Sequence, residues 1–197
     1  MAIKPTIYKF KISLSDLNRD YYSALNLTVA QHPSETLERM MARVLAYCLN
    51  ADELLSFTKG LSSVEEPDIW LRGLDDQLHL WIDVGEPAQD RIKKASRMAK
   101  STRVYSFNSK SDTWWRQSQA GFANLPVQVF QFSWADMQAL AKLVSRTSDM
   151  SFTITGDSTY IAADNGEVEI ICRELQAWCV VCIMVASSFR ADIYNKI

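Results

Sequence analysis

Apolar and polar positions alternate over residues 77–84: Leu78, Leu80, Ile82 and Val84 fall on one face of an extended segment, and His79, Trp81 and Asp83 on the other. The pattern predicts a strand with one fully apolar face. Gly85-Glu86-Pro87 ends it and starts a helix over about 87–100, and a short strand over 69–72 precedes it across a turn at 73–76. Upstream, residues 6–15 and 20–30 carry the β-branched and aromatic residues of two hairpin arms around Asp16-Leu17-Asn18-Arg19. His32-Pro33-Ser34-Glu35 predicts a helix start, since proline suits the first turn and an acidic residue there complements the helix dipole. Leu37, Met40, Met41, Val44, Leu45 and Cys48 then recur at helical spacing to about Asn50. Residues 57–66 read as a loop. Strands are predicted at 102–107 and 127–132, with a short helix at 112–119 between them. Ser133-Trp134-Ala135-Asp136 resembles a capping box and opens a helix with Met137, Leu140, Ala141 and Val144 inward. A meander follows near 151–155, 159–163 and 167–173, turning at Gly156-Asp157 and Asn165-Gly166. This alternation of strands and helices is the order of an α/β fold, and the strand–helix–strand unit over 77–107 predicts a parallel pair with a right-handed crossover.

The chain has 197 residues, 48% of them apolar and 22% charged, which suits one globular domain. No stretch approaches the roughly 20 apolar residues of a membrane span. Met1-Ala2-Ile3-Lys4-Pro5-Thr6 lacks the apolar core of a secretory signal, so a cytoplasmic location is the expectation. Cys48 and Cys172 sit in apolar patterns and read as inert core residues. Cys179 and Cys182 have a C-x-x-C spacing, but their surroundings are apolar and no second Cys/His pair stands at ligand spacing. His32 and His79 complete no nucleophilic triad, and with six glycines there is no phosphate-cradling loop. Nucleotide hydrolysis and dinucleotide oxidoreduction are therefore poor readings.

Net charge is −2, and its distribution says more than its sum. Residues 62–86 hold seven acidic residues against one arginine; residues 88–116 hold eight Lys/Arg against two Asp, together with Tyr105, Phe107, Trp114 and Trp115. Basic and aromatic residues together suit phosphate contacts and base stacking, and the same composition is equally that of a solvated helix face. Within the acidic stretch, Asp68 stands beside Pro67 at an element boundary and Asp83 near a strand end. Two carboxylates brought together are the ligand type that hard divalent cations prefer. Each also has an ordinary role open to it: Asp68 as a turn residue after proline, Asp83 as a cap or a loop-amide acceptor.

Ser34-Glu35-Thr36-Leu37-Glu38-Arg39-Met40-Met41, Phe57-Thr58-Lys59-Gly60-Leu61, Glu66-Pro67-Asp68 with Trp70-Leu71-Arg72, and Arg91-Ile92-Lys93-Lys94-Ala95 together resemble the YaeQ family, with the opening 4–8 and Trp114-Trp115 in agreement. The likeness covers about residues 1–178 as one domain and leaves 179–197 as an extension beyond the family pattern. That family is similar in fold to PD-(D/E)XK nucleases, which implies a restriction-endonuclease-like core: a mixed β-sheet flanked by helices, with extra strands at the N- and C-termini. The resemblance implies Asp68 and Asp83 as the two acidic, metal-holding positions, with Mg²⁺ or Mn²⁺ as the cofactor. The position two beyond Asp83, where that superfamily places a lysine, is Gly85. Lys93 or Lys94 is the candidate for a migrated lysine, and the sequence does not choose between them. Glu38 is the candidate third acid, beside the apolar stripe of the first long helix, while Glu35 is left to favour the helix start. Arg91, Lys93, Lys94, Arg97 and Trp115 are the candidate nucleic-acid contacts. Two functions follow as expectations: a metal-dependent nucleic-acid phosphodiesterase, or a non-catalytic module of the same fold that binds nucleic acid or a protein partner.

Overall fold

In the computed structural model, which describes residues 4–59 and 65–178, the strands divide between two sheets. β1 (Thr6–Asp16) and β2 (Tyr21–Gln31) form the expected hairpin; α1 (Leu37–Leu49), β3 (Leu55–Phe57), β4 (Ile69–Arg72) and β5 (Leu78–Val84) follow. Then come α2 (Gln89–Met98), β6 (Ser101–Ser106), α3 (Ser111–Phe122), β7 (Val127–Gln131) and α4 (Trp134–Lys142). The chain continues through β8 (Thr147–Thr155), β9 (Ser158–Ala163), β10 (Gly166–Ile171) and β11 (Arg173–Gln176). The first sheet has the order β10-β9-β8-β1-β2 and the second β11-β7-β6-β5-β4-β3. Both are mixed: β1 and β8 pair in parallel within the first, and β5, β6 and β7 run parallel at the centre of the second. The parallel strand–helix–strand unit expected over 77–107 is thus present as β5-α2-β6.

The extra strands expected at the N- and C-termini mostly pair with each other: β1 and β2 join β8, β9 and β10 in a sheet of their own, while β11 adds to the edge of the second sheet. Phe10, Ile12 and Leu14 of β1 and Met150, Phe152 and Ile154 of β8 are all buried, with Ile12 paired to Met150 and Leu14 to Phe152. Two half-apolar strands of period two are best covered when their apolar faces form one surface. That surface packs on α1 and α4; α1 also meets β5, and Ile69, Leu80, Ile82 and Val84 of the second sheet belong to the same core cluster. α1 is consequently buried on every side rather than along a stripe: Ala42, Ala46 and even Arg43 are below 5% exposed. The opposite face of the second sheet holds a smaller core, in which Ile92 of α2 and Phe122 of α3 pack on Val104, Val127 and Val129.

Smaller departures have local causes. α1 begins at Leu37, because Thr36 is the N-cap and its hydroxyl accepts from the Arg39 amide; Glu35 therefore precedes the helix. Residues 55–57 fall partly in the expected loop, yet three residues pair with β4 as an edge strand. Ser133 caps α4 without a side-chain capping bond. Cys48 is buried, Cys172 is partly so, and burial pushes the Cys172 thiol up to about 12. Cys179, Cys182 and the rest of 179–197 lie outside the described residues.

Candidate functional site

Strand pairing brings Asp68 and Asp83 to one place. β4 and β5 are antiparallel with Ile69 opposite Ile82, and the Asp68 amide donates to the Ile82 carbonyl at 3.0 Å. Asp68 therefore stands beside Asp83 at the mouth of the sheet. Both are buried, at 5% and 3% exposure, and both line a cleft of about 450 Å³. Glu66, Glu86, Arg39, Arg91 and the Asn108 loop complete its walls. The cleft opens at the C-terminal ends of the parallel strands β5 and β6, the end at which open α/β sheets hold their ligands.

Each carboxylate has donors on both oxygens. Asp68 Oδ2 accepts from the Val84 amide at 2.8 Å, and Oδ1 from Arg39 Nη2 at 2.8 Å. The same Nη2 reaches the Val84 carbonyl at 3.3 Å. Asp83 is gripped in bidentate fashion by Arg91, with Nη2 to Oδ1 at 2.8 Å and Nε to Oδ2 at 2.9 Å, while Trp81 Nε1 adds a third donor at 3.0 Å. Burial pushes the Asp83 carboxyl above the usual carboxylate range, against the pull of Arg91 and Trp81, and the neighbouring Asp68 charge adds to the rise. Arg91 also ties its helix to the Glu66 carbonyl at 2.8 Å.

The Arg39 side continues into the core. Glu35, buried, accepts from Arg39 Nη1 at 2.7 Å and from Arg43 Nε and Nη2 at 2.8 and 2.7 Å. Burial works against the Arg39 charge, but Asp68 and Glu35 outweigh it and raise its pKa. A ladder of alternating charge thus runs Arg43–Glu35–Arg39–Asp68 from the core out to the cleft, which Arg39 and Asp68 line. Glu86 acts on the opposite wall: it accepts from the Phe107 and Asn108 amides, the Asn108 side chain and Ser111 Oγ, and so fixes the start of α3.

The remaining candidates are distributed otherwise. Glu38 is half-buried in the first turn of α1 and is not among the cleft-lining residues; the helix starts too late to turn it inward, and Glu35 holds the inward position. Lys93 and Lys94 are exposed on α2 and do not line the cleft, and Lys94 pairs with Glu65. The cation that α2 sends into the cleft is Arg91, one turn earlier, where Ile92 and Ala95 fix the buried side of the helix. Arg97 is exposed. Trp115 is half-buried against Trp114 and Phe122, with ring centroids 6.0 and 6.1 Å apart, so part of its ring serves the core. Arg39 and Glu35 escaped sequence reasoning. The available signal was Arg43, a charge inside an apolar helical run that needs a buried partner, with Arg39 and Glu35 at four-residue spacing before it.

These donors decide how well a divalent ion fits. Every Asp68 and Asp83 oxygen already has an N–H aimed at it, and two guanidinium charges stand against two carboxylates. Among the described residues no three His, Cys, Asp or Glu side chains form a metal-ligand group. The residues as arranged do not fit a resident Mg²⁺ or Mn²⁺. Among the described residues no helix is long and apolar enough to cross a membrane.

Similarity to other proteins agrees with the fold and leaves the chemistry open. At 40% identity the chain matches "Uncharacterized protein YaeQ" of Salmonella typhi over 182 residues and that of Escherichia coli (strain K12) over 185. Each match covers 90% of this chain and 98% of the relative. The crystal structure of the YaeQ protein from Xanthomonas axonopodis pv. citri superposes with a TM-score of 0.85 at 34% identity, covering 88% of this chain and 99% of that one. The YaeQ protein structure from Pseudomonas syringae gives 0.84 at 34% identity, covering 88% and 97%. The family model described as YaeQ protein matches residues 1–172, and the chain belongs to the YaeQ family.

Proposed function

We propose that the six-stranded half of this protein is a PD-(D/E)XK-nuclease-like core that binds nucleic acid in the cytoplasm without hydrolysing it. The observation that carries the non-catalytic reading is the pairing of both cleft carboxylates with arginines. A metal-dependent phosphodiesterase needs those oxygens for Mg²⁺ or Mn²⁺, and here Arg39, Arg91, Trp81 and the Val84 amide hold them. Gly85 supports the same reading. It occupies the position of the superfamily's lysine with φ +119°, a backbone conformation that residues with a side chain rarely adopt. Support for nucleic acid as the ligand comes from the basic face: Lys93 and Arg97 on α2 and Arg116 on α3 are exposed, and the two helices pack together.

The test is fluorescence anisotropy with short labelled DNA and RNA across a salt series, beside a cleavage screen with Mg²⁺ and Mn²⁺. Binding without cleavage is expected, with affinity falling steeply as salt rises through counterion release. Replacing Lys93, Lys94 and Arg97 by Ala should weaken it and flatten that dependence. Absence of binding even at low salt would sink the nucleic-acid reading in favour of a protein partner. The second reading, a metal-dependent phosphodiesterase, is favoured by the convergence of Asp68 and Asp83 on one cleft. Metal-dependent cleavage lost in Asp83→Asn would establish it and overturn the first.

A further inference from the structure

We infer that Arg39 and Arg91 are the resident cations of this cleft and take the place of a divalent ion, with Arg39 Nη2 bridging two oxygens that would otherwise be free to bind one. Arg39 Nη2 lies between Asp68 Oδ1 at 2.8 Å and the Val84 carbonyl at 3.3 Å. A carboxylate and a backbone carbonyl are two oxygen types that a hard cation collects around itself. Val84 directly follows Asp83, so the pair of oxygens that Arg39 bridges belongs to the same strand ends that bring the two acids together. The second acid, Asp83, is neutralised separately by the bidentate Arg91 fork. One guanidinium thus replaces the ion at the Asp68 side, and the other removes the charge that would attract one at the Asp83 side.

The supporting structure makes the replacement durable. Arg39 is held from behind by Glu35, which is itself fixed by the two-pronged contact from Arg43. Withdrawing Arg39 to admit an ion would leave Glu35 with one cation instead of two in a buried site, which is costly. A free arginine at the rim could swing away, whereas this one is anchored at both ends. The consequence is a cleft whose charge balance is built into the chain and does not depend on metal supply.

The test titrates Mn²⁺ into the full chain by isothermal calorimetry, followed by thermal unfolding with and without millimolar Mn²⁺. Wild type should show no saturable site in the cleft and no Mn²⁺-dependent rise in Tm. Arg39→Ala should gain one saturable site as the uncompensated Asp68 charge is exposed, binding Mn²⁺ at least about tenfold more tightly than the non-saturable background of wild type. That gain should vanish on adding Asp68→Asn. Arg39→Lys keeps the positive charge and should keep Mn²⁺ out, an outcome that a merely structural role for Arg39 would not produce. A saturable Mn²⁺ site in wild type that Asp83→Asn removes would overturn the inference, and this arm decides the matter even where Arg39→Ala fails to fold. A folded Arg39→Ala protein that binds no Mn²⁺ would overturn it too. None of these readouts involves nucleic acid, so the inference and the binding function fail separately.

Discussion

Glu35 and Glu38 lie one turn apart in sequence, yet the structure gives them opposite weights, and truncating each to Ala measures the difference. The Glu35 side chain is 1% exposed and accepts three guanidinium N–H bonds at 2.7–2.8 Å, plus the His32 amide at 3.3 Å. Removing it leaves Arg43, whose side chain is 4% exposed, with the Ala30 carbonyl at 3.2 Å as its remaining hydrogen-bond partner among the described residues. Breaking a buried ion pair from one side costs about 3–5 kcal/mol, because the orphaned charge stays desolvated. For a chain of this size each kcal/mol shifts Tm by roughly 2–4 °C, so Glu35→Ala should melt roughly 6–20 °C below wild type. Glu38 is half-buried at the start of α1, where its loss should stay within about 0.5 kcal/mol. Urea unfolding followed by tryptophan fluorescence reads both variants. A double variant, Glu35→Ala with Arg43→Met, should recover part of the loss, since removing both charges ends the desolvation penalty. If Glu35→Ala falls within about 1 kcal/mol of Glu38→Ala, the buried ladder is not what holds α1 against the cleft.

Gly85→Ala should cost about 1–3 kcal/mol from backbone strain alone, since φ is +119° while an added Cβ meets nothing within 4 Å. Gly156→Asn, at φ +59°, is the control and should cost less than about 1 kcal/mol because Asn tolerates that region; equal losses in urea unfolding would refute the strain argument. Asp83 supplies a pH test, with Arg91, Trp81 and Asp68 as its charged and donor neighbours. Its folded pKa lies above the ordinary value, so the folded state holds the proton longer than the unfolded chain does. Its contribution to stability is fully present below the unfolded pKa of about 3.9 and is lost as pH rises through the folded value. The unfolding free energy of wild type minus that of Asp83→Asn should therefore fall as pH rises through that window. A difference that grows with pH would show that Arg91 outweighs burial.

β4 to β7 and the facing of Asp83 were legible in the sequence from period and turn signals, whereas Asp68 as the partner of Asp83 came from the family resemblance. Alternation at 77–84 placed Asp83 on the face opposite Leu80 and Ile82, and that face proved to be the one α2 covers with Arg91. The separate first sheet was not legible. Pairing β1 with β8 joins segments more than 130 residues apart, and nothing local in either strand names its partner. The same limit applies to the site. Lys93 and Lys94 were singled out because a lysine was sought, whereas helix phase sent Arg91 inward. Arg39 and Arg43 could have been anticipated only by asking what a charge inside an apolar helix pairs with. Arg43 posed that question in the sequence, and its answer, Glu35, lay just before the helix.

The abrupt change from acidic to basic sequence near Pro87 largely dissolves in three dimensions, and this limits what a polyanion can meet. Arg91 spends its charge on Asp83 and Lys94 on Glu65, pairs that each join the acidic stretch to the basic one. Arg103 is partly buried and bonds Asn50 and Gln128. The exposed cations left between 88 and 116 are Lys93, Lys94, Arg97, Lys100, Lys110 and Arg116, of which Lys94 already has its carboxylate. Each phosphate contact on duplex DNA contributes about −0.9 to the slope of log K against log salt, so contact by the remaining five cannot give a slope steeper than about −4.5. A steeper slope would require cations outside this face. A slope near zero would mean that these five exposed cations make no phosphate contacts, and the basic stretch would then not be a nucleic-acid surface.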